Sequence, residues 1–308
     1  MAFRVLASDP LDAGAVAAMR QAGLEVDEKT DLSVERLKSE IGAYDAIVVR
    51  SATKLRAEIL DAARKLKLVV RAGVGLDNVD VEHAKSKGID VRNTPAASSN
   101  SVAELTLGHI LSLARHIGRG TASTKAGRWE KKQLEGVEIE GKTLGIVGIG
   151  RIGQALARKA RALGMRVLCY DAYLKKSPIP DVAAMVSLDR LLAESDFVSL
   201  HIPFDPAVGA TIGQAQLARM KDGVRIVNCA RGGVIDESAL AAAMKSGKVA
   251  GAALDVFGTE PPPADHPLLA LDSVSFTPHI GASTVEAQAR VGREAAQIVI
   301  DFAKSAKK

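Results

Sequence analysis

The sequence predicts an α/β protein made of two doubly wound parallel-sheet domains. Short apolar runs alternate with amphipathic stretches almost from end to end, the pattern of βαβ units. The runs fall into two separate series, each long enough for its own sheet. With 308 residues, 47% of them hydrophobic and 25% charged, the chain can bury two cores.

The first series has strands predicted at residues 4–8, 46–50, 68–71 and 89–91, with helices between them at 11–22 and 34–41. Gly23 and Gly42 stand where a helix C-cap calls for glycine. The second series has strands at 143–147, 166–170, 197–200, 224–228, 250–254 and 274–276. Between the two lies a helix at 101–117, where Ser101 and Glu104 fit a capping box and Val102, Leu105, Ile110, Leu113 and Ile117 form a broad apolar face. A last helix, 284–303, is expected to return to the first domain. The predicted domains are therefore residues 1–97 with 284–308, and residues 98–283.

Composition excludes several classes. No run approaches the roughly 18 consecutive apolar residues of a membrane span, and the N-terminus lacks a signal-peptide layout, so the expected compartment is the cytoplasm. Cys169 and Cys229 both lie in apolar runs without metal-ligand spacing, so neither a disulfide nor a metal site is expected. The balance of 41 basic to 36 acidic residues gives +5, and the terminal AKSAKK reads as a solvated tail. Scarce aromatics and the lack of a basic helix argue against nucleic acid, whereas mild positive charge suits a small anion.

The run GIVGIGRIG places Gly148, Gly150 and Gly153 in G-x-G-x-x-G spacing between strand 143–147 and a helix at 152–163. The first glycine permits a tight turn, the second lets a pyrophosphate approach the backbone, and the third lets helix pack on strand. The helix N-terminus supplies N–H donors to phosphate. Asp171 follows the next strand, where an acidic side chain accepts from the adenosine ribose and repels a 2′-phosphate. This favours NAD over NADP.

Three further residues fall at or just beyond the carboxyl ends of strands in the second series, the edge where ligands bind in such sheets. Arg231, in NCARGGVID, has a planar fork suited to a carboxylate, and Gly232 and Gly233 after it are expected to give a substrate close access to the backbone. His279, in TPHIGAST, titrates in the range needed to remove a proton from a secondary alcohol. Glu260, in DVFGTEPPP, is placed to orient that imidazole. Each taken singly also suits an ordinary surface or turn residue.

Together the segments RSATKL, RAGVGLDNVD, NTPAASSNSVAEL, GKTLGIVGIGRIG, VNCARGGVIDESAL, GAALDVFGTEPP and PHIGAST identify a resemblance over the full length to the D-isomer-specific 2-hydroxyacid dehydrogenases. The resemblance implies a Rossmann NAD-binding domain and a smaller flavodoxin-like substrate-binding domain. It makes Arg231, Glu260 and His279 the catalytic set. It also implies that Val74, Arg151, Ile152, Asp171, Ile202, Cys229, Ala230, Asp255 and the turn containing Ile280, Gly281 and Ala282 line the NAD site, some through backbone alone. A homodimer through the cofactor domains is implied as well, the helix 101–117 contributing. Many relatives continue into serine-binding regulatory domains, whereas this chain stops at Lys308, so feedback through such a domain is not expected.

The substrate class implied is a small anionic 2-hydroxy or 2-keto acid, its carboxylate and keto oxygen read by Arg231, His279 and backbone around Gly73, Val74 and Gly75. Arg50, with Ser51 beside it, and Arg71 add positive charge at strand ends of the first domain. These favour a phosphorylated acid, and the resemblance is strongest to members acting on 3-phosphoglycerate. Two alternatives stay open: a hydroxypyruvate or glyoxylate reductase without a phosphate pocket, and an NAD-sensing binding protein like the corepressors that keep this fold.

Overall fold

The computed structural model describes residues 2–306, and Lys307 and Lys308 of the basic tail lie outside the described residues. Two compact units are present, Met1–Ser98 with Ala282–Lys308, and Ser99–Gly281.

The first unit runs β1 (Arg4–Ala7), α1 (Ala13–Gln21), β2 (Glu25–Glu28), α2 (Val34–Glu40), β3 (Ala46–Val49), α3 (Ala57–Ala62), β4 (Leu68–Arg71), α4 (Val81–Ser86) and β5 (Asp90–Asn93). All strands are parallel, in the order β2-β1-β3-β4-β5. That is the flavodoxin-like order, which changes direction between β1 and β3. Residues 46–49, AIVV, are buried throughout, as a strand covered by helices on both faces requires. β2 was not predicted, because an edge strand reading EVDE buries only Val26 and carries no apolar run. Its charges instead pair with neighbours: Arg4 bridges Asp27 and Arg20 bridges Glu28, both at 3.0 Å.

The second unit starts with α5 (Ser99–Arg115) and α6 (Ile117–Lys125), then β6 (Thr143–Val147), α7 (Arg151–Ala162), β7 (Arg166–Tyr170), β8 (Ala184–Met185), α8 (Leu188–Glu194) and β9 (Phe197–Leu200). It continues through α9 (Gln214–Arg219), β10 (Val224–Asn228), α10 (Glu237–Lys245), β11 (Val249–Leu254) and β12 (Val274–Phe276). The order β8-β7-β6-β9-β10-β11-β12 is wholly parallel and places the topological switch between β6 and β9. β6 and β9 are buried along their whole length, and α5 contributes Val102, Ala103, Ile110, Leu113 and Ala114 to the core around them. No helix of the described residues is long and apolar enough to cross a membrane, and no cluster of metal ligands occurs among them.

Two expected caps differ. α5 begins at Ser99, so Ser101 lies inside the helix and is not its N-cap; Glu104 instead accepts from Asn100 Nδ2 at 2.8 Å and from Lys159 Nζ at 3.1 Å. An apolar-periodic pattern marks where a helical face begins, and the backbone here starts one polar turn earlier. Gly42 makes no left-handed cap either, because α2 tightens into a 3₁₀ turn, Ile41–Ala43, that carries the chain on. Gly23 does adopt the left-handed conformation, φ 80°. Side-chain caps sit on Asp12, Ser33, Asp80, Ser187 and Asp236, each accepting from a backbone N–H of the first turn.

The chain closes with α11 (Val285–Ser305), capped by Thr284 and packed along α1 in the first unit. At Gly292 the two come close, and a Cβ there would stand 2.9 Å from Cβ of Asp12, the α1 N-cap, and 3.1 Å from Ala15 Cβ. Substitution Gly292→Val should therefore overpack this contact, costing about 1–3 kcal/mol and lowering the Tm measured by calorimetry. An unchanged Tm would show that the two helices can separate freely.

Candidate active site

In the second unit the carboxyl ends of β6, β7, β9, β10 and β11 carry most of the residues singled out from sequence. Gly148 turns the chain out of β6 with φ 94°, and a Cβ there would stand 2.5 Å from the carbonyl oxygen of His201 and 2.8 Å from Ile202 Cγ2. Gly153 lies against that turn, its hypothetical Cβ only 2.3 Å from Gly148 O. Both must be glycine for the protein's own packing.

Gly150 differs. A Cβ there would meet nothing within 4 Å, and Gly150 caps α7 without any side-chain hydrogen bond. Open space in front of an uncapped helix N-terminus fits a dinucleotide pyrophosphate, which needs backbone donors and a partial positive charge. Arg151 and Ile152 are the first two residues of that helix. Asp171, one residue beyond β7, accepts from Ile149 N at 3.1 Å and from Tyr173 N at 2.9 Å. Its carboxylate is thus held beside the glycine turn.

His201, absent from the sequence reading, lies just after β9. Its Nε2 is 2.9 Å from the buried Ser199 hydroxyl, and its Nδ1 is covered with no hydrogen-bond partner. The residue keeps partial exposure elsewhere, but covering of the ring lowers its pKa from 6.5 to about 4.

Asn228, the last residue of β10, shapes the next turn: its Oδ1 accepts from Ala230 N at 3.0 Å and its Nδ2 donates to Arg231 O at 2.9 Å. Arg231 Nη1 donates to Ala230 O at 2.6 Å. The two glycines after it have an internal packing reason of their own. A Cβ on Gly232 would stand 1.8 Å from Phe257 O, and one on Gly233, φ 79°, would stand 2.8 Å from the Phe204 ring. Close internal packing therefore accounts for both. Cys229 is buried, and burial pushes its thiol up to about 12.

His279 and Glu260 come together. His279 Nδ1 lies 2.7 Å from Glu260 Oε2, while Glu260 Oε1 accepts from Phe257 N at 3.1 Å. A carboxylate only accepts, so the imidazole donates from Nδ1 and leaves Nε2 for another partner. The two side chains are 48% and 38% exposed, open enough to meet a ligand.

His279 has φ 54°, unusual for a residue with a Cβ, and its surroundings hold it there. Asp255, fully buried after β11, is responsible: its backbone oxygen accepts from His279 N at 2.9 Å, and its carboxylate accepts from Thr277 Oγ1 at 2.6 Å, Ile280 N at 2.8 Å and Gly281 N at 2.9 Å. The Asp255 carboxylate thus braces the turn that carries His279.

In the first unit, Arg50 follows β3, Arg71 ends β4, and residues 73–75 form the loop after it. The buried Asp9, just after β1, accepts from Arg50 N at 2.5 Å, from Thr53 N at 3.2 Å and from Thr53 Oγ1 at 2.9 Å. Asn78 Nδ2 donates to Arg50 O at 2.6 Å and Thr53 O at 2.7 Å. Loop 50–53, including the exposed Ser51, is therefore held from both sides.

Gly73, φ 147°, lies under the Arg71 guanidinium, where a Cβ would stand 1.5 Å from Nη1. The carbonyls of Gly73 and Val74 accept from Thr94 N at 3.0 Å and Asn93 Nδ2 at 2.5 Å. Ala282 O accepts from Gln288 Nε2 at 2.7 Å. Asp9, Asn78 and Asn93 are bracing residues that the sequence does not single out; only Asp9, just beyond the apolar β1, carries a local signal.

Comparison with known proteins gives a consistent set. The family profile for the D-isomer specific 2-hydroxyacid dehydrogenase NAD binding domain matches residues 107–281. A hydroxypyruvate reductase of Thermotoga maritima is 51% identical over 295 residues, covering 95% of each chain. A D-3-phosphoglycerate dehydrogenase of Archaeoglobus fulgidus is 46% identical over 303 residues, which are 98% of this chain and 58% of that one. The chain thus spans little more than half of that relative's length. A D-lactate dehydrogenase of Aquifex aeolicus, solved with NAD and lactic acid, superposes with a TM-score of 0.85 at 33% identity, covering 98% of this chain and 96% of that one.

The covered ring of His201 makes a pH-dependent expectation. The unfolded ring binds a proton below about 6.5 and the folded ring only near 4, so stability is complete above 6.5 and falls as the pH drops towards 4. Urea midpoints between pH 7.5 and 4.5 should show this acid limb, and His201→Gln should flatten it. Parallel limbs in the two proteins would mean that another group governs acid lability.

Proposed function

We propose that this chain, which belongs to the D-isomer-specific 2-hydroxyacid dehydrogenases and is an NAD-dependent oxidoreductase, interconverts 3-phospho-D-glycerate and 3-phosphohydroxypyruvate, the first step towards serine. The observation that carries the reading is the His279–Glu260 pair at 2.7 Å beside the Arg231 turn, on the same sheet edge as the glycine turn.

Residues 148–153 with Asp171 and Ile202 would hold NAD, which when bound exchanges hydride with the carbon bearing the hydroxyl or keto group. The protein supplies the rest. Arg231 binds the substrate carboxylate through its planar fork. In ketone reduction His279 gives the proton at Nε2 to the keto oxygen, and in alcohol oxidation the same nitrogen takes it back. Glu260, accepting from Nδ1, fixes the ring's orientation and stabilises the imidazolium that each cycle requires.

The phosphorylated substrate rests on the first unit. Arg50 and Arg71 stand at the carboxyl ends of β3 and β4, flanking a loop whose Gly73 and Val74 carbonyls are bonded inward. Two guanidinium groups at that edge suit a dianionic phosphate better than a neutral hydroxymethyl group. A second reading, reduction of hydroxypyruvate, is favoured by the Thermotoga relative that matches along almost its entire length.

NADH oxidation with 3-phosphohydroxypyruvate, hydroxypyruvate and glyoxylate in parallel tests the choice. The phosphorylated acid should show the highest kcat/KM, and Arg50→Ala should raise its KM roughly ten- to a hundredfold while barely changing that for hydroxypyruvate. Equal effects on both acids would move the assignment to the unphosphorylated one. His279→Gln should lower kcat by about 10²–10⁴-fold with NADH binding retained by fluorescence. Near-normal turnover in that protein would end the proposed role of the histidine.

A further inference from the structure

His109 lies in the middle of α5, buried, and its ring nitrogens face two hydroxyls of the segment that leads to the His279 turn. Nε2 is 3.0 Å from Thr277 Oγ1, and Nδ1 is 3.4 Å from Ser275 Oγ. Thr277 Oγ1 is in turn 2.6 Å from Asp255 Oδ1.

The direction of every bond in this series follows from one fact. The Asp255 carboxylate only accepts, so the Thr277 hydroxyl proton must point to it. That leaves the Thr277 oxygen lone pairs facing His109, and Nε2 must carry a proton to fill them. With Nε2 protonated in the neutral ring, Nδ1 is bare and accepts from the Ser275 hydroxyl. Burial favours the neutral ring, while the nearby Asp255 charge acts the other way; burial is the larger effect, and the His109 pKa falls below its ordinary value.

From this geometry we infer that His109 is a positioning residue for His279, acting through Thr277 and Asp255. The inference rests on the assignment of His279 as the proton donor and acceptor. Asp255 Oδ1 receives Thr277 Oγ1 and Ile280 N together, and Oδ2 receives Gly281 N. Its carboxylate orientation therefore decides how the two amides after His279 are aimed. His109 fixes the Thr277 rotor, Thr277 fixes the carboxylate, and the carboxylate with the Asp255 carbonyl keeps His279 at φ 54°.

Without the Nε2 donor, the half-buried Thr277 oxygen loses its partner on the His109 side, and its hydroxyl gains freedom to turn from Asp255. Such loosening displaces the reacting nitrogen without touching the glycine turn. Its signature is a fall in turnover rather than in cofactor affinity.

The test compares the full chain with His109→Leu and His109→Gln, since a glutamine amide can donate from nearly the same place as Nε2 whereas leucine cannot. In His109→Leu, kcat for reduction should fall about three- to tenfold with the KM for NADH unchanged, and His109→Gln should recover most of the loss. Amide hydrogen exchange, read on the protein alone, should speed up at Ile280 and Gly281 in His109→Leu and return in His109→Gln, while the strands of the sheet exchange as before. Equal kcat per folded molecule in all three proteins would overturn the inference, as would exchange that rises uniformly or fails to recover with glutamine. Because exchange needs no substrate, slow turnover of every 2-keto acid by the parent protein would count against the functional assignment while the relay is judged on exchange alone.

Discussion

A carboxylate removed from water is tolerated only where donors replace its hydration, and each unit of this protein builds its functional edge around one such group. Asp255 gathers the Thr277 hydroxyl and the amides of Ile280 and Gly281, and its own carbonyl holds His279 N. Asp9 gathers Arg50 N and both donors of Thr53. In both cases the aspartate follows a strand at the carboxyl edge and folds a loop from elsewhere in the chain around itself. If the carboxylate lost its donors it would have to leave the interior, and the turn carrying His279 or Arg50 would go with it.

This arrangement separates rigidity from exposure. His279 and Arg50 keep partly exposed side chains, yet the backbone of each is tied to a buried aspartate, and the Glu260 carboxylate is itself held by Phe257 N. Asn228 does the same beneath Arg231, through Ala230 N and Arg231 O. Side chains that bind anions or move protons need solvent access before the ligand arrives, and rotamer freedom there costs little so long as the backbone is placed. The parallel sheets make this possible, because every strand delivers its following loop to one edge.

The glycines show how differently one residue type is used. Gly148 and Gly153 are compelled by internal contacts at 2.5 and 2.3 Å, whereas Gly150 opens onto empty space where a pyrophosphate fits. Gly232 and Gly233, expected from sequence to give a substrate access, lie where a Cβ would meet Phe257 and Phe204. A glycine motif therefore locates a tight turn reliably, but only its neighbours in space say whether the room is for a ligand or for the protein itself.

The linear order of residues by itself determined the two series of strands, the dinucleotide turn and the candidacy of Arg231, Glu260 and His279, since these depend on short-range periodicity and on residue chemistry next to apolar runs. It did not reveal β2 or β8, because edge strands bury one face or less and so lack the apolar signature. Nor did it reveal Asp9, Asn78, Asn93 and His109, whose partners are mostly far along the chain: Asp9 acts 41 residues away on Arg50, and His109 acts 168 residues away on Thr277. Hydrogen bonds of that span exist only once the sheets have brought strand ends together. The tertiary structure alone decided which polar residues brace the site, because bracing is a property of distance and burial, neither of which a residue's neighbours in sequence record.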